Sequence, residues 1–307
     1  MIIPCYNGKS TIRKTLRAVC GQQTKFPFEI IVIDSSQDGT DAIIRDEFPD
    51  VRLIHLNEQT LPGSGRNLGI QHAHGEIVAF TDADAVPDPD WLDKMVDLHR
   101  THNTDAVGGC VINGYPYSPT AWVSHLIEFS TWTESKPADY VDKIPSVNIS
   151  YKKEVFQKYR ICFSDIFPSE DTLFNWSLVE RGGMIYYDPA VRVVHLSRVG
   201  FFKLFSHQLK LGRAAGYARR ISTLPGQVFV KYPVLCVFFP CIRWLLAGFR
   251  LIRKHPLRFI IFLILTPLFL GATIAWTLGF VQHPRFSKPR FVFDGCEYDV
   301  FGKKEVT

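Results

Sequence analysis

The sequence predicts an α/β protein: a mostly parallel central sheet with helices on both faces, followed by C-terminal amphipathic and membrane-type helices. Two observations predict the first part. Short β-branched runs alternate with helix-period segments through residue 112, the spacing that builds parallel sheets. Two of those runs end in an aspartate, Asp34 and Asp82, and open α/β sheets bind ligands at the carboxyl ends of their strands. The third observation concerns the rest. Residues 1–202 carry 19 basic and 26 acidic side chains, a net −7, whereas residues 203–307 carry 16 and 4, a net +12, with long apolar runs between the charges. A basic, acid-free stretch suits nucleic acid or anionic lipid; interleaved with apolar runs, it points to a membrane and away from nucleic acid.

The elements follow in order. Residues 1–3 are the stub of a strand, short for a central one, so a few residues are expected to be missing before them. Residues 10–22 have helical spacing through Ile12, Leu16 and Val19; 28–33 form a strand ending at Asp34; 41–48 are helical; 51–56 are a strand; 67–74 are helical; 77–80 are a strand ending at Asp82. Residues 89–100 form a helix, with Asp88 as N-cap and Pro89 in its first turn. Residues 106–112 are a strand, 171–181 a polar helix stopped by Gly182-Gly183, and 185–187 and 191–195 two short strands. Residues 201–220 form a basic amphipathic helix suited to a membrane surface, or to packing on a core. Residues 259–281 are 23 without a charge, more than the roughly 20 that span a bilayer. Residues 232–249 are the weaker candidate, interrupted by Pro233, Pro240 and Arg243. The connector 250–258 is basic and by the positive-inside rule cytoplasmic. A two-span hairpin would put it outside; a first segment that only dips into the inner leaflet would not.

Composition excludes other classes. A hydrophobic fraction of 46% with 21% charged residues is too apolar for a disordered chain. Seven cysteines without a C-x-x-C pair fit neither a disulfide framework nor a zinc ribbon. The first ten residues lack the basic start and apolar run of a signal peptide.

Four motifs carry the chemistry: Pro4-Cys5-Tyr6-Asn7-Gly8, the run from Val32 to Thr40 around Asp34, Asp82-Ala83-Asp84, and Ser169-Glu170-Asp171-Thr172. Two carboxylates at a strand end suit Mg²⁺ or Mn²⁺ with substrate phosphates completing the shell; an isolated D-x-D is otherwise a capping turn. Asp34 at the end of a buried strand needs polar partners, which a nucleotide base or ribose or an Asx-turn would supply. Glu170 and Asp171 at a helix start are either caps or, ionised beside an acceptor hydroxyl, a general base. Gly63-Ser64-Gly65-Arg66-Asn67-Leu68-Gly69 has the wrong glycine spacing for a dinucleotide loop and is expected to be a flexible loop that offers Arg66 to a phosphate.

Together P-C-Y-N-G, V-I-D-S-S-Q-D-G-T, G-R-N-L-G-I, F-T-D-A-D and S-E-D-T resemble family 2 glycosyltransferases of the GT-A fold over about residues 1–200. The resemblance implies an inverting, membrane-associated enzyme that moves a sugar from a nucleotide-sugar donor to a lipid-linked or surface-glycan acceptor, in cell-surface polysaccharide synthesis. It implies that Pro4, Tyr6, Asn7 and Asp34 surround the nucleotide with Arg66 and Asn67 beside it. Asp82 and Asp84 would hold the metal, Mg²⁺ or Mn²⁺, and the donor diphosphate. Asp171 would be the base, with Glu170 supporting it or binding acceptor, and His195 either a third metal ligand or a packing residue. The Q-x-x-R-W motif of processive synthases is absent; residues 207–213 read H-Q-L-K-L-G-R, which implies a single transfer. The implied division is 1–110 nucleotide-sugar half, 111–200 acceptor and catalytic half, 201–227 interfacial helix, 228–282 membrane segments and 283–307 tail, with the catalytic part on the cytoplasmic side of a bacterial inner or plasma membrane. Two other functions fit parts of the chain. A sugar-nucleotidyltransferase would need a glycine- and basic-rich loop after the first strand, where Tyr6-Asn7-Gly8 stands; a membrane-tethered glycan- or nucleotide-binding protein would not need every carboxylate kept.

Overall fold

The computed structural model describes residues 1–196, 199–254, 256–282, 290–293 and 296–299. Two compact units form, one from Met1–Ile112 and Lys136–Leu196 with the C-terminal segment, the other from Asn113–Ser135 and Ser197–Ser287.

The first unit opens with β1 (Ile2–Cys5), α1 (Ile12–Cys20), β2 (Ile31–Asp34), α2 (Thr40–Glu47), β3 (Arg52–His55), α3 (Pro62–His72), β4 (Ile77–Phe80), β5 (Ala85–Pro87), α4 (Trp91–Thr101) and β6 (Ala106–Asn113). After α5 (Pro119–Glu128) of the second unit it resumes with β7 (Asp139–Val141), β8 (Ile149–Lys152), α6 (Glu154–Lys158), α7 (Glu170–Glu180) and β9 (Ile185–His195). The sheet runs β3-β2-β1-β4-β8-β6-β9-β5, with β7 also on β9. β1 pairs in parallel with β2 and β4, and β2 with β3. The expected parallel arrangement stops there: β4 and β6 pair antiparallel to β8, and β5 and β7 antiparallel to β9. The sheet is therefore mixed, because the strand–helix alternation that generates parallel pairs lapses after β4. The stub at the chain start is a fully buried inner strand, Ile2 and Ile3 being 0% exposed. The two strands expected at 185–187 and 191–195 are one continuous strand, and α4 starts at Trp91 with Asp90, not Asp88, at its N-cap.

The flexible loop expected around Arg66 is instead helix α3. Its glycines serve close packing. A Cβ on Gly69 would run into Ile2 of β1, and one on Gly63 into the Ser164 carbonyl. The glycines let α3 lie directly on the sheet, and Arg66 is held by a rigid element.

The second unit contains α5, α8 (Phe201–Ile221), α9 (Gln227–Lys231), a 3₁₀ segment at Pro233–Phe238, α10 (Phe239–Lys254), α11 (Pro256–Ile264) and α12 (Thr266–Gln282). α8 and α12 cross closely enough that a Cβ on Gly212 would meet the Trp276 carbonyl and one on Gly279 the Leu209 carbonyl. Val123, Leu126, Leu204, Leu251, Phe262 and Phe269 form the core of this unit. The charge-free run at 259–281 is not a single straight helix: Arg258–Ile264 and Thr266–Gln282 together are long and apolar enough to cross a bilayer but meet at a 70° bend. Pro267 explains the break, since its ring clashes with the carbonyl four residues earlier and offers no N–H. The weaker candidate is the longer helix, Pro233–Arg253, which is long and apolar enough to cross a bilayer. Of the 283–307 tail, the described part is a separate antiparallel hairpin of β10 (Arg290–Phe293) and β11 (Cys296–Asp299); the rest lies outside the described residues.

One buried histidine makes the first unit acid-sensitive. His99 on α4 is 5% exposed, with Nε2 3.0 Å from Ser150 Oγ of β8. Burial, reinforced by Lys152, lowers its pKa from 6.5 to about 4. Between those values the unfolded chain binds the proton and the folded chain does not, so stability is full above pH 6.5 and falls as the pH drops towards 4. The loss is on the order of 2–3 kcal/mol. In thermal melts from pH 7 to pH 4, His99→Gln is expected to flatten this part of the slope; an unchanged slope would assign the acid sensitivity elsewhere.

Candidate active site

Three parallel strands deliver one end of the candidate site. Cys5, Asp34 and His55 stand side by side at the ends of β1, β2 and β3. Asp34 is fully buried and well partnered: Oδ1 accepts from Ser36 Oγ at 2.5 Å, and Oδ2 lies 2.7 Å from His55 Nδ1. Asn7 takes a left-handed backbone (φ 53°), a conformation asparagine tolerates better than most residues. Its N–H donates to Ser36 Oγ at 2.7 Å, and its Oδ1 accepts from Gln37 N–H at 3.2 Å. Tyr6 beside it is 44% exposed, and Pro4 lies against Gly65 of α3. The strand-end aspartate was visible in the sequence; His55 was not, since only strand register brings it to Asp34.

The metal-type end lies past β4. Asp82 and Asp84 occupy the turn between β4 and β5, and His195 ends β9 opposite Ala85. The turn is braced by Ala85 N–H to Asp82 O (3.1 Å), Leu196 N–H to Asp84 O (2.7 Å) and Thr15 Oγ to Ala83 O (3.0 Å). His195 Nε2 is 3.5 Å from Asp84 Oδ1. One ligand atom from each of Asp82, Asp84 and His195 lies within 4.8 Å of the other two, and Asp34, Asp41 and His55 form a second such group. The chemistry of the first set, two carboxylates and an imidazole on a partly open turn, fits Mg²⁺ or Mn²⁺, the imidazole favouring the transition metal.

Arg66 joins this end to the fourth motif. It is 2% exposed; one Nη donates to Asp82 Oδ1 at 3.0 Å and the other to Glu170 Oε1 at 2.8 Å. Its Cζ lies 5.6 Å from the centroid of Phe163, which stacks on Phe174 of α7 at 4.3 Å. Burial opposes the cation, but Asp82 and Glu170 outweigh it and raise the Arg66 pKa. Glu170, 4% exposed, is pushed up to about 7 by burial, with Asp171 adding to the shift and Arg66 opposing it. Burial likewise raises Asp82, against the pull of Arg66. Asp171 is partly exposed; its Oδ2 accepts Ser146 N–H at 3.1 Å and its Oδ1 accepts Thr172 N–H at 2.6 Å. Asn67 clasps the Phe163 backbone, donating to its carbonyl at 2.8 Å and accepting its N–H at 3.0 Å. The structure thus groups Arg66, Asp82, Glu170 and Asp171, gives Asn67 a backbone partner, and adds Phe163 and Ser146, which no motif marked.

The Arg66 bridge makes a stability prediction. Arg66→Met leaves the buried Glu170 and the half-buried Asp82 without their cation, a loss of about 3–5 kcal/mol. Glu170→Gln in the same chain removes one of those charges and is expected to recover part of the loss in denaturant melts. Strict additivity of the two changes would show that the bridge is not formed.

The model for the glycosyl transferase family 2 matches residues 1–160. Glycosyltransferase AglE of Haloferax volcanii is 28% identical over 221 residues, covering 69% of this chain and 71% of that protein. Glucosyl-dolichyl phosphate glucuronosyltransferase of the same organism is 30% identical over 151 residues, 44% of this chain and 45% of that one. Among solved structures, the mannosyltransferase PcManGT of Pyrobaculum calidifontis, in complex with GDP-Man and Mn²⁺, superposes with a TM-score of 0.59 at 19% identity, covering 92% and 85% of the two chains. With the strand-end carboxylates and the mixed sheet already in place, the chain belongs to glycosyl transferase family 2, a GT-A-fold glycosyltransferase that uses a nucleotide-sugar donor.

Proposed function

We propose that this enzyme adds one sugar, with inversion at the anomeric carbon, to a hydroxyl of a lipid-linked sugar or growing surface glycan at a membrane. The observation that carries the reading is the convergence of Asp82, Asp84 and His195, tied by Arg66 to Glu170 and so to the neighbouring Asp171. Asp82, Asp84 and His195 would hold a divalent cation, Mg²⁺ or Mn²⁺, whose charge offsets that of the departing nucleoside diphosphate.

The protein's own groups divide the remaining work. Asp171 takes the proton from the acceptor hydroxyl as its oxygen bonds to the anomeric carbon, on the face opposite the breaking bond to the diphosphate. The two N–H groups it accepts orient the carboxylate and leave lone pairs for that proton. Arg66 reaches both carboxylates and is buried, so it positions Asp82 and the start of α7 while the diphosphate meets other groups. Glu170 supports the base through Arg66. Tyr6 and Asn7 face the nucleotide, and the buried Asp34 fixes the Asn7 turn behind them through Ser36. Positioning of donor and acceptor supplies much of the rate.

The acceptor reading has two supports. The dolichyl-phosphate enzyme named above is a relative. The second unit exposes Ile242, Leu245, Leu246 and Phe249 on α10 and Ile260, Ile261, Leu263 and Ile264 on α11, an apolar surface that suits lipid. Such attachment, with the first unit on the cytoplasmic side of an inner or plasma membrane, keeps the enzyme beside both substrates.

The test is nucleoside-diphosphate release by membranes carrying the chain, with UDP-, GDP- and dTDP-sugars, lipid-linked acceptors, and Mg²⁺ or Mn²⁺. Asp84→Ala is expected to remove the metal-dependent binding of donor together with turnover. Asp171→Asn is expected to keep donor binding and lose at least 100-fold in transfer, of the order expected for a general base. Turnover that survives chelation would overturn the metal assignment, and full activity of Asp171→Asn the assignment of the base.

A further inference from the structure

Between Asp188 and Asp294 the chain has no carboxylate, yet the second unit brings two guanidinium groups together over its aromatic core. Arg243, in the middle of α10, lies over Trp276 with its Cζ 3.8 Å from the ring centroid. Arg219, near the end of α8, lies over Phe280 at 5.8 Å. Trp276 and Phe280 are buried on successive turns of α12 and stack at 5.2 Å. The two cations share this floor and are near enough to repel each other.

Their surroundings leave the charge unmatched. Glu128 of α5 acts on Arg243 electrostatically, but its carboxylate is already engaged. Oε1 accepts from Ser124 Oγ at 2.5 Å and Gln208 Nε2 at 2.9 Å, and Oε2 lies 3.2 Å from His207 Nε2. Arg219 donates Nε to the Pro225 carbonyl at 2.9 Å and Nη1 to the Ala215 carbonyl at 3.0 Å; these fix the group without neutralising it. Arg243 Nη1 is buried and has no hydrogen-bond partner among the described residues. A buried, unmet donor on a charged group is costly, and like charges repel more strongly where water is excluded. An aromatic face offsets only part of this. An anion with several acceptor oxygens would meet both the charge and the free donor.

We infer that Arg219 and Arg243, over Trp276 and Phe280, form a binding site for the phosphate group of an anionic lipid. Phosphate is favoured because guanidinium forks match its geometry with paired hydrogen bonds. A lipid is favoured because the same helix α10 exposes Ile242, Leu245, Leu246, Phe249 and Ile252, a stripe at helical spacing that acyl chains would cover. The inference rests on the reading of a membrane enzyme with a lipid-linked acceptor; the phosphate belongs either to that acceptor or to a bilayer phospholipid.

The test is flotation of the full chain with three vesicle types: phosphatidylcholine alone, and the same with phosphatidic acid or with polyprenyl phosphate. Wild type and Arg219→Met/Arg243→Met are expected to float equally with phosphatidylcholine, since the apolar stripe is unchanged. Vesicles carrying an anionic phosphomonoester, phosphatidic acid or polyprenyl phosphate, are expected to bind wild type at least tenfold more tightly than zwitterionic phosphatidylcholine, and the variant is expected to lose that increment. Preference for polyprenyl phosphate identifies the acceptor; equal response to phosphatidic acid identifies the bilayer. Either supports the site. Flotation without preference for the anionic phosphomonoester, or preference retained by the variant, overturns it and leaves the membrane reading intact, whereas no flotation on any vesicle overturns both. Wild-type melts in detergent give a check independent of the variant. Dihexanoyl phosphatidic acid should raise the Tm where dihexanoylglycerol and inorganic phosphate do not; equal stabilisation by inorganic phosphate would overturn the assignment to lipid.

Discussion

The bridge from Asp82 through Arg66 to Glu170 is the constraint on which the catalytic unit depends. It links the turn after β4, the middle of α3 and the first turn of α7, three places far apart in sequence. Placing a guanidinium there costs several kcal/mol of desolvation, and two carboxylates are needed to offset it. Arg66 also opposes the upward push that burial and Asp84 exert on the Asp82 carboxyl. The bridge therefore bears on the electrostatics of the metal-type turn as well as its position. It also gives Glu170 a partner, so that of two adjacent carboxylates one is fixed in the interior and Asp171 is left at the surface of the site.

The remaining architecture protects that bridge. Asn67, one residue along α3, clamps the Phe163 backbone; Phe163 lies under Arg66 and stacks on Phe174 of the helix that begins with Glu170. Phe80 and Tyr151 close the cluster edge-on, and Phe156 packs against it at a tilt. The glycines of α3 bring the helix against β1, which fixes the depth at which Arg66 enters. A polar group buried this deeply is tolerated because its neighbours cannot rearrange independently.

Much of this was legible in the sequence, and the reasons differ by feature. Strand–helix alternation and strand-end aspartates exposed the parallel half of the sheet and the residues at its edge, because both are local patterns. The antiparallel half was not legible: β8, β6 and β9 are joined through long segments with no periodic signal, so their order depends on tertiary packing. Glycines 63, 65 and 69 were misread as a loop because glycine signals either a flexible backbone or close packing of a helix, and only the partner surface decides. His55 and Ser146 escaped notice for a related reason. Each acts through register or through a backbone N–H, and neither leaves a mark in residue type. In the second unit, composition located the apolar segments but not their shape: Pro267 bends the longer run, while Pro233 and Pro240 fall where a helix can begin and do not prevent a long one.

The second unit follows a different electrostatic rule from the first. The catalytic unit pairs its buried cation with two carboxylates of its own, so its charges are closed within the fold. The second unit has almost no acid to offer, and the nearest one, Glu128, is engaged by three side chains of α5 and α8. Its cations are held instead by aromatic faces and neutral carbonyls, arrangements that orient a charge without cancelling it. Such a unit is electrostatically incomplete by itself and complete against an anionic surface. An apolar exterior beside unmatched cations is the complement of an anionic lipid, whose chains are apolar and whose phosphate lies at their interfacial end. The same acid-free composition that first distinguished residues 203–307 is, at the level of side chains, what leaves room for a charge supplied from outside the chain.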